Sequence, residues 1–139
     1  MKQLLPRQAW ALLQQGLQAA ADGAGEPPLF VDVRMEIESL YVGRPPGVDN
    51  IPWYDYPVQT PDPQAFVAQV EQLAAGKHRT VLLLCRSGRR SLDAALALEA
   101  AGFGDVVHIV HGFEGDLDAA RQRSRRNGWR FDGLPWEQM

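Results

Sequence analysis

The run Thr80–Leu84 is the strongest constraint on what this chain can fold into: five residues, TVLLL, with no polar position after the first, followed at once by Cys85 and a polar turn. A strand with one face in water alternates apolar and polar residues, so a continuous run of this length implies a strand covered on both faces. Leu29–Val33 and Val106–Val110 repeat the pattern, interrupted once each, by Asp32 and by His108. Between these runs the apolar residues fall at helical spacing: Trp10, Leu13, Leu17 and Ala20 after Pro6, then Phe66, Val67, Val70, Leu73 and Ala74, then Leu92, Ala95, Leu96 and Leu98 from Ser91 onward. Asp62 and Pro63 read as an N-cap followed by proline at the first helical position, and Gly76 and Gly102 as stops. Strands alternating with helices predict an α/β fold, a parallel sheet with helices on both faces.

Elsewhere the pattern is weaker. Prolines at 45, 46, 52 and 57 leave room only for a brief extended segment around Val48–Ile51. The Arg-rich stretch ending at Gly128 and Trp129 reads as a polar helix. Trp129, Leu134, Pro135 and Trp136 read as a clamp packing on the body of the fold, since large aromatics mostly contribute buried area. With 139 residues, one domain over 1–139 is expected, with 1–28 an N-terminal helix and turn and 29–139 the core with its C-terminal packing segment.

Charge and sulfur content narrow the function. Fourteen basic against 17 acidic side chains give a formal charge of −3, so no bulk positive field points to nucleic acid as the principal partner. Gln14, Gln15 and Gln18 break the apolar N-terminal run, and no stretch is long enough to span a bilayer, so no membrane partner and a cytoplasmic location are expected. One cysteine excludes an intramolecular disulfide and any zinc site built from several thiolates. His78, His108 and His111 show no metal-ligand spacing, and no metal site is expected.

Residues 85–91 read CRSGRRS and occupy the turn from the central strand into a helix. Ligands of open α/β sheets gather beyond the carboxyl ends of the strands, where a helix N-terminus offers unpaired N–H groups and roughly half a positive charge. Gly88 lets successive N–H groups curl inward into a nest for an anion, and Arg86, Arg89 and Arg90 add positive charge around it. Ser87 and Ser91 complete the loop. A thiol on the floor of such a nest is expected to ionise below the free value of about 8.5, as in precedents between about 3.5 and 7.5. Cys85 is therefore the candidate nucleophile. The alternative is a small, inert buried cysteine, to which three arginines within five residues are poorly suited.

Several separated motifs carry a resemblance to a known family. VDVR at 31–34, GRPPGVDNIPW at 43–53, LLLCRSGRRS at 82–91 and NGWRFDGLPWEQ at 127–138 follow in the order seen in rhodanese-type sulfurtransferases. From about Leu29 to the C-terminus, this chain resembles a single-domain rhodanese. The resemblance implies a rhodanese-like fold with a five-stranded parallel sheet, and a Cys85 that accepts a sulfane sulfur from thiosulfate or a persulfide donor and passes it to a thiol or cyanide. It also implies residues 86–91 as the substrate-binding loop, small anionic donors and thiol or cyanide acceptors as partners, a protein persulfide donor or acceptor among them, and no cofactor. Asp32 and Arg34 are secondary candidates, for orienting loop groups or for a structural ion pair at the sheet's edge.

Two other classes stay open. Cysteine phosphatases and arsenate reductases place one more residue between cysteine and arginine than the four that separate Cys85 from Arg90, and Ser91 falls where their arginine would be. A non-catalytic persulfide carrier or regulatory module would use the same loop without turning over small donors. Arg44 stands where many relatives have histidine, and Ser87 where mitochondrial-type enzymes have a lysine that helps hold thiosulfate. His111, Gly112 and Phe113 replace a common double glycine, with Glu114 and Asp116 beyond them. The cluster Arg121, Arg123, Arg125 and Arg126 reads as a solvated helix face.

Overall fold

A computed structural model describes residues 1–139. Five strands, β1 (Lys2–Leu4), β2 (Leu29–Asp32), β3 (Asp49–Asn50), β4 (Val81–Leu84) and β5 (Val106–Ile109), form one sheet in the order β1-β5-β4-β2-β3. Every pairing is parallel. The helices are α1 (Pro6–Ala21), α2 (Pro63–Ala74) and α3 (Arg89–Ala100), with a short π-helical turn at Glu38–Val42. None of them is long and apolar enough to cross a membrane.

The alternation of side chains along the strands sorts the core into two layers. Leu29, Val31, Val81, Leu83, Cys85 and Val106 face Phe66, Val70 and Ala74 of α2 and Ala94, Ala95 and Leu98 of α3. Phe30, Leu82, Leu84, Val107 and Ile109 face Ala9 and Leu13 of α1 together with Phe113 and Trp129. The central strand is thus covered on both faces, as its unbroken apolar run requires, and burial of each of its leucines stabilises the fold by roughly 1.5–3 kcal/mol. Asp62 caps α2 through its carboxylate, which accepts the Ala65 N–H at 3.1 Å.

Two segments differ from the sequence expectation. Lys2–Leu4 forms the edge strand β1, paired with Val107–Ile109, so the N-terminal segment contributes to the sheet as well as a helix. The expected C-terminal Arg-rich helix is absent; residues 111–129 are turns and irregular backbone. Arg121 and Ser124 have φ of 61° and 64°, which interrupts any helix there. The Asp118 carboxylate instead accepts the N–H groups of Ala120 at 2.9 Å and Gln122 at 2.8 Å. Arg123 and Arg126, expected on a solvated helix face, donate to the carbonyls of Gly115 and Leu117.

The aromatic clamp divides. Trp129 is fully buried, meets Trp10 edge-on at 5.6 Å between centroids, and donates its indole N–H to the Pro135 carbonyl at 2.7 Å. Trp136 stays 42% exposed and lies against Phe113 and Gly43. Arg44 pairs its backbone with Glu137, tying the C-terminus down beside them.

Candidate active site

Cys85 lies one residue past β4, at the carboxyl end of the central strand, and Gly88 caps the helix that follows. The start of the loop is pinned from below: the Phe113 N–H donates to the Cys85 carbonyl at 2.8 Å and the Glu114 N–H to that of Arg86 at 2.9 Å. This approach needs Gly112, with φ 66°, because a Cβ there would collide with the Cys85 carbonyl oxygen and lie 2.7 Å from the Arg86 carbonyl carbon.

Cys85 is only 1% exposed, the burial that the inert alternative requires. Although the residue belongs to the apolar layer under α2 and α3, its sulfur has polar partners in the loop. The Gly88 N–H donates to Sγ at 3.1 Å, and the fully buried Ser91 hydroxyl lies 3.3 Å away. Gly88 reaches this geometry at φ 105°, a backbone region that side chains disfavour. When the sulfur is anionic, both groups donate to it.

The arginines separate in role. Arg86 and Arg89 are exposed at the loop. Arg90 is half-buried and turned aside, forming a bidentate pair with Glu38 at 2.7 and 2.9 Å and lying over the Tyr54 ring at 5.6 Å. Burial alone would weaken its charge, but the hydrogen bonds and charge of Glu38, with a smaller contribution from Cys85, hold it firmly cationic. Burial likewise pushes the Glu38 carboxyl up, and the Arg90 hydrogen bonds and charge outweigh it, aided by the Met35 N–H, so the group titrates below the usual 4.5.

Asp32 and Arg34 pair with each other, both fully buried, two residues apart at the end of β2. One Asp32 oxygen accepts the Arg34 main-chain N–H at 3.0 Å and Nε–H at 2.9 Å, and the other accepts Nη2–H at 2.7 Å. Arg34 also donates to the Gly43 carbonyl and lies over Phe113 at 4.7 Å. His111 faces Asp116 at 3.6 Å, and His78 pairs at the surface with Glu26. Beside the loop, an open cleft of about 470 Å³ is lined by Ser87, Gly88, Arg89, Leu92, Asp116, Leu117 and Arg123.

Sequence reasoning left Glu38, His108 and Gly112 without a role. Glu38 had no local signal, because its partner is 52 residues away. His108 did have one, as the single polar residue in an apolar strand.

A parallel sheet with a cysteine-bearing strand-to-helix loop at the carboxyl end of its central strand defines a class, and comparison with known proteins agrees with it. The family model described as Rhodanese-like domain matches residues 7–119. The chain belongs to the rhodanese-like family. Residues 127–138, whose pattern also resembled the family, lie beyond the matched span. The crystal structure of Rv0390 from M. tuberculosis is similar over 100% of this chain and 98% of its own, at 33% identity and a TM-score of 0.79. The polysulfide-sulfur transferase of Wolinella succinogenes shares the fold, with a TM-score of 0.62 at 17% identity over 100% of this chain and 80% of that one. An uncharacterised protein of Rickettsia conorii is 35% identical over 60 residues, a match spanning 43% of this chain and 43% of that protein.

Proposed function

We propose that this protein is a sulfurtransferase that carries a sulfane sulfur as a persulfide on Cys85. The observation that supports this reading best is the Gly88 N–H donating to Sγ at 3.1 Å in a strand-to-helix loop, which favours negative charge on sulfur. The Cys85 thiolate attacks the outer sulfur of a donor. With thiosulfate, a new S–S bond forms at Sγ while the old one breaks, and sulfite leaves with the electron pair. Exposed Arg86 and Arg89 attract the anionic donor to the loop.

The terminal sulfur of the persulfide carries a negative charge, which the loop stabilises through the Gly88 N–H and the Ser91 hydroxyl that already reach Sγ. A thiolate or cyanide then attacks that sulfur, the S–S bond breaks, and its electron pair returns to Sγ. Neither step needs a metal or an organic cofactor. Arg90 is bound to Glu38 and serves to hold α3 against the Glu38 turn rather than to grip the donor.

Turnover tests this directly. With thiosulfate, polysulfide or a low-molecular-weight persulfide as donor, and cyanide or a thiol as acceptor, the wild-type protein transfers sulfur and Cys85→Ala does not. A generic aryl phosphate is not hydrolysed; hydrolysis without sulfur transfer would favour the phosphatase reading. Transfer from a protein persulfide, with none from small donors, would favour the carrier reading.

A further inference from the structure

His108 is hard to account for as packing. It belongs to β5, where Val106, Val107 and Ile109 are its neighbours, and it is 4% exposed. It sits opposite Leu83 of β4 and Gln3 of β1. Strand alternation puts it on the same face as Val106, Leu83 and Cys85, under α3. An imidazole in such a place loses its hydration, and an aliphatic side chain would fill the position at lower cost.

Its only hydrogen bond goes to the loop. Nε2 lies 2.8 Å from the Gly88 carbonyl oxygen, and Nδ1 is buried with no partner. A carbonyl can only accept, so the hydrogen is on Nε2. Burial pushes the imidazole below its usual 6.5, against a smaller opposing pull from the Gly88 carbonyl, which keeps the ring neutral near pH 7. Gly88 is also the residue whose N–H donates to Sγ, and it does so at φ 105° and ψ −1°. Glycine crosses readily between backbone basins, so this geometry is not held by its own sterics.

Taking Cys85 as the sulfur-accepting nucleophile proposed above, we propose that His108 is a positioning residue that clamps the Gly88 carbonyl and thereby keeps the Gly88 N–H aimed at the sulfur. The residue is held at both ends, by imidazole at its C=O and by sulfur at its N–H. Without the clamp, the two peptides flanking Gly88 rotate, and the donor that stabilises the anionic sulfur is present for only part of the time. His108 touches neither donor nor acceptor; it acts through Gly88.

The test compares His108→Leu with His108→Gln, the latter able to present an amide N–H at the reach of Nε2. Two readouts are used: the rate of Cys85 alkylation by iodoacetamide at pH 7, which needs no sulfur donor, and kcat/KM for thiosulfate to cyanide transfer. His108→Leu is expected to lower both about tenfold, the weight of one hydrogen bond to an anionic sulfur. His108→Gln is expected to restore them to within about threefold. His108→Met replaces His108→Leu if the latter does not fold. Wild-type alkylation in a folded Leu or Met variant overturns the proposal, as does a Gln variant no better than either. If wild-type protein transfers no sulfur, the sulfurtransferase reading fails separately, and the alkylation rates still decide the role of His108.

Discussion

Replacing Asp32 by asparagine removes one charge from a pair that has no access to water and leaves the shape nearly unchanged. Arg34 and Asp32 are both fully buried, and three hydrogen bonds join them, the longest at 3.0 Å. In Asp32→Asn the guanidinium keeps its contact with the Gly43 carbonyl and with the face of Phe113 but loses its counter-ion. Arg34 Nη1 already lacks a hydrogen-bond partner, so there is little local reserve to absorb the change. Removing one partner of a buried pair costs about 3–5 kcal/mol. For a chain of this size that corresponds to a fall in Tm of roughly 6–20 °C. Urea unfolding followed by far-UV circular dichroism measures it. The double variant Asp32→Leu, Arg34→Met removes both charges and is expected to recover most of the loss. A loss below about 1 kcal/mol in Asp32→Asn, with sulfur transfer abolished, would refute the structural role and make Asp32 part of the chemistry.

Gly112→Ala is expected to destabilise by more than about 2 kcal/mol, because strain at φ 66° adds to a collision with the Cys85 carbonyl. Gly47→Ala, at φ 75° with nothing within 4 Å, bears only the conformational part, about 1–2 kcal/mol, and urea unfolding of the two separates these effects. Stability should fall on acidification in two windows, both of the same sign. The unfolded chain takes up a proton on His108 below about pH 6.5 that the fold resists, so stability is lost as pH drops from there, and His108→Leu removes that slope. Glu38, depressed in the fold, contributes stability that is full above about 4.5 and is lost as pH falls through its folded value, and Glu38→Gln flattens that lower window in urea titrations.

The parts of the fold that were legible in the sequence are those set by local burial. Leu29–Asp32, Val81–Leu84 and Val106–Ile109 announce buried parallel strands because nearly every side chain is apolar, and Asp62–Pro63 announces a helix start through its own capping chemistry. The edge strand Lys2–Leu4 was not legible, since only one neighbour pairs with it and Lys2 and Gln3 remain exposed. The Arg-rich stretch misled because two of its four clustered arginines, Arg123 and Arg126, donate to carbonyls of an irregular segment, Gly115 and Leu117, which no periodicity reveals. At the candidate site, the loop from Cys85 to Ser91 stood out by composition and position. The partners that shape it, Glu38 for Arg90 and His108 for Gly88, come from 52 and 20 residues away, and only the folded chain brings them there.

Intact mass of the protein after incubation with a panel of thiosulfate, polysulfide and glutathione persulfide tests most directly whether Cys85 accepts sulfur. The expected result is one added sulfur atom with at least one donor, removed by cyanide and absent in Cys85→Ala. A wild-type protein whose mass is unchanged by every donor, or a Cys85→Ala variant that still gains sulfur, would contradict the account.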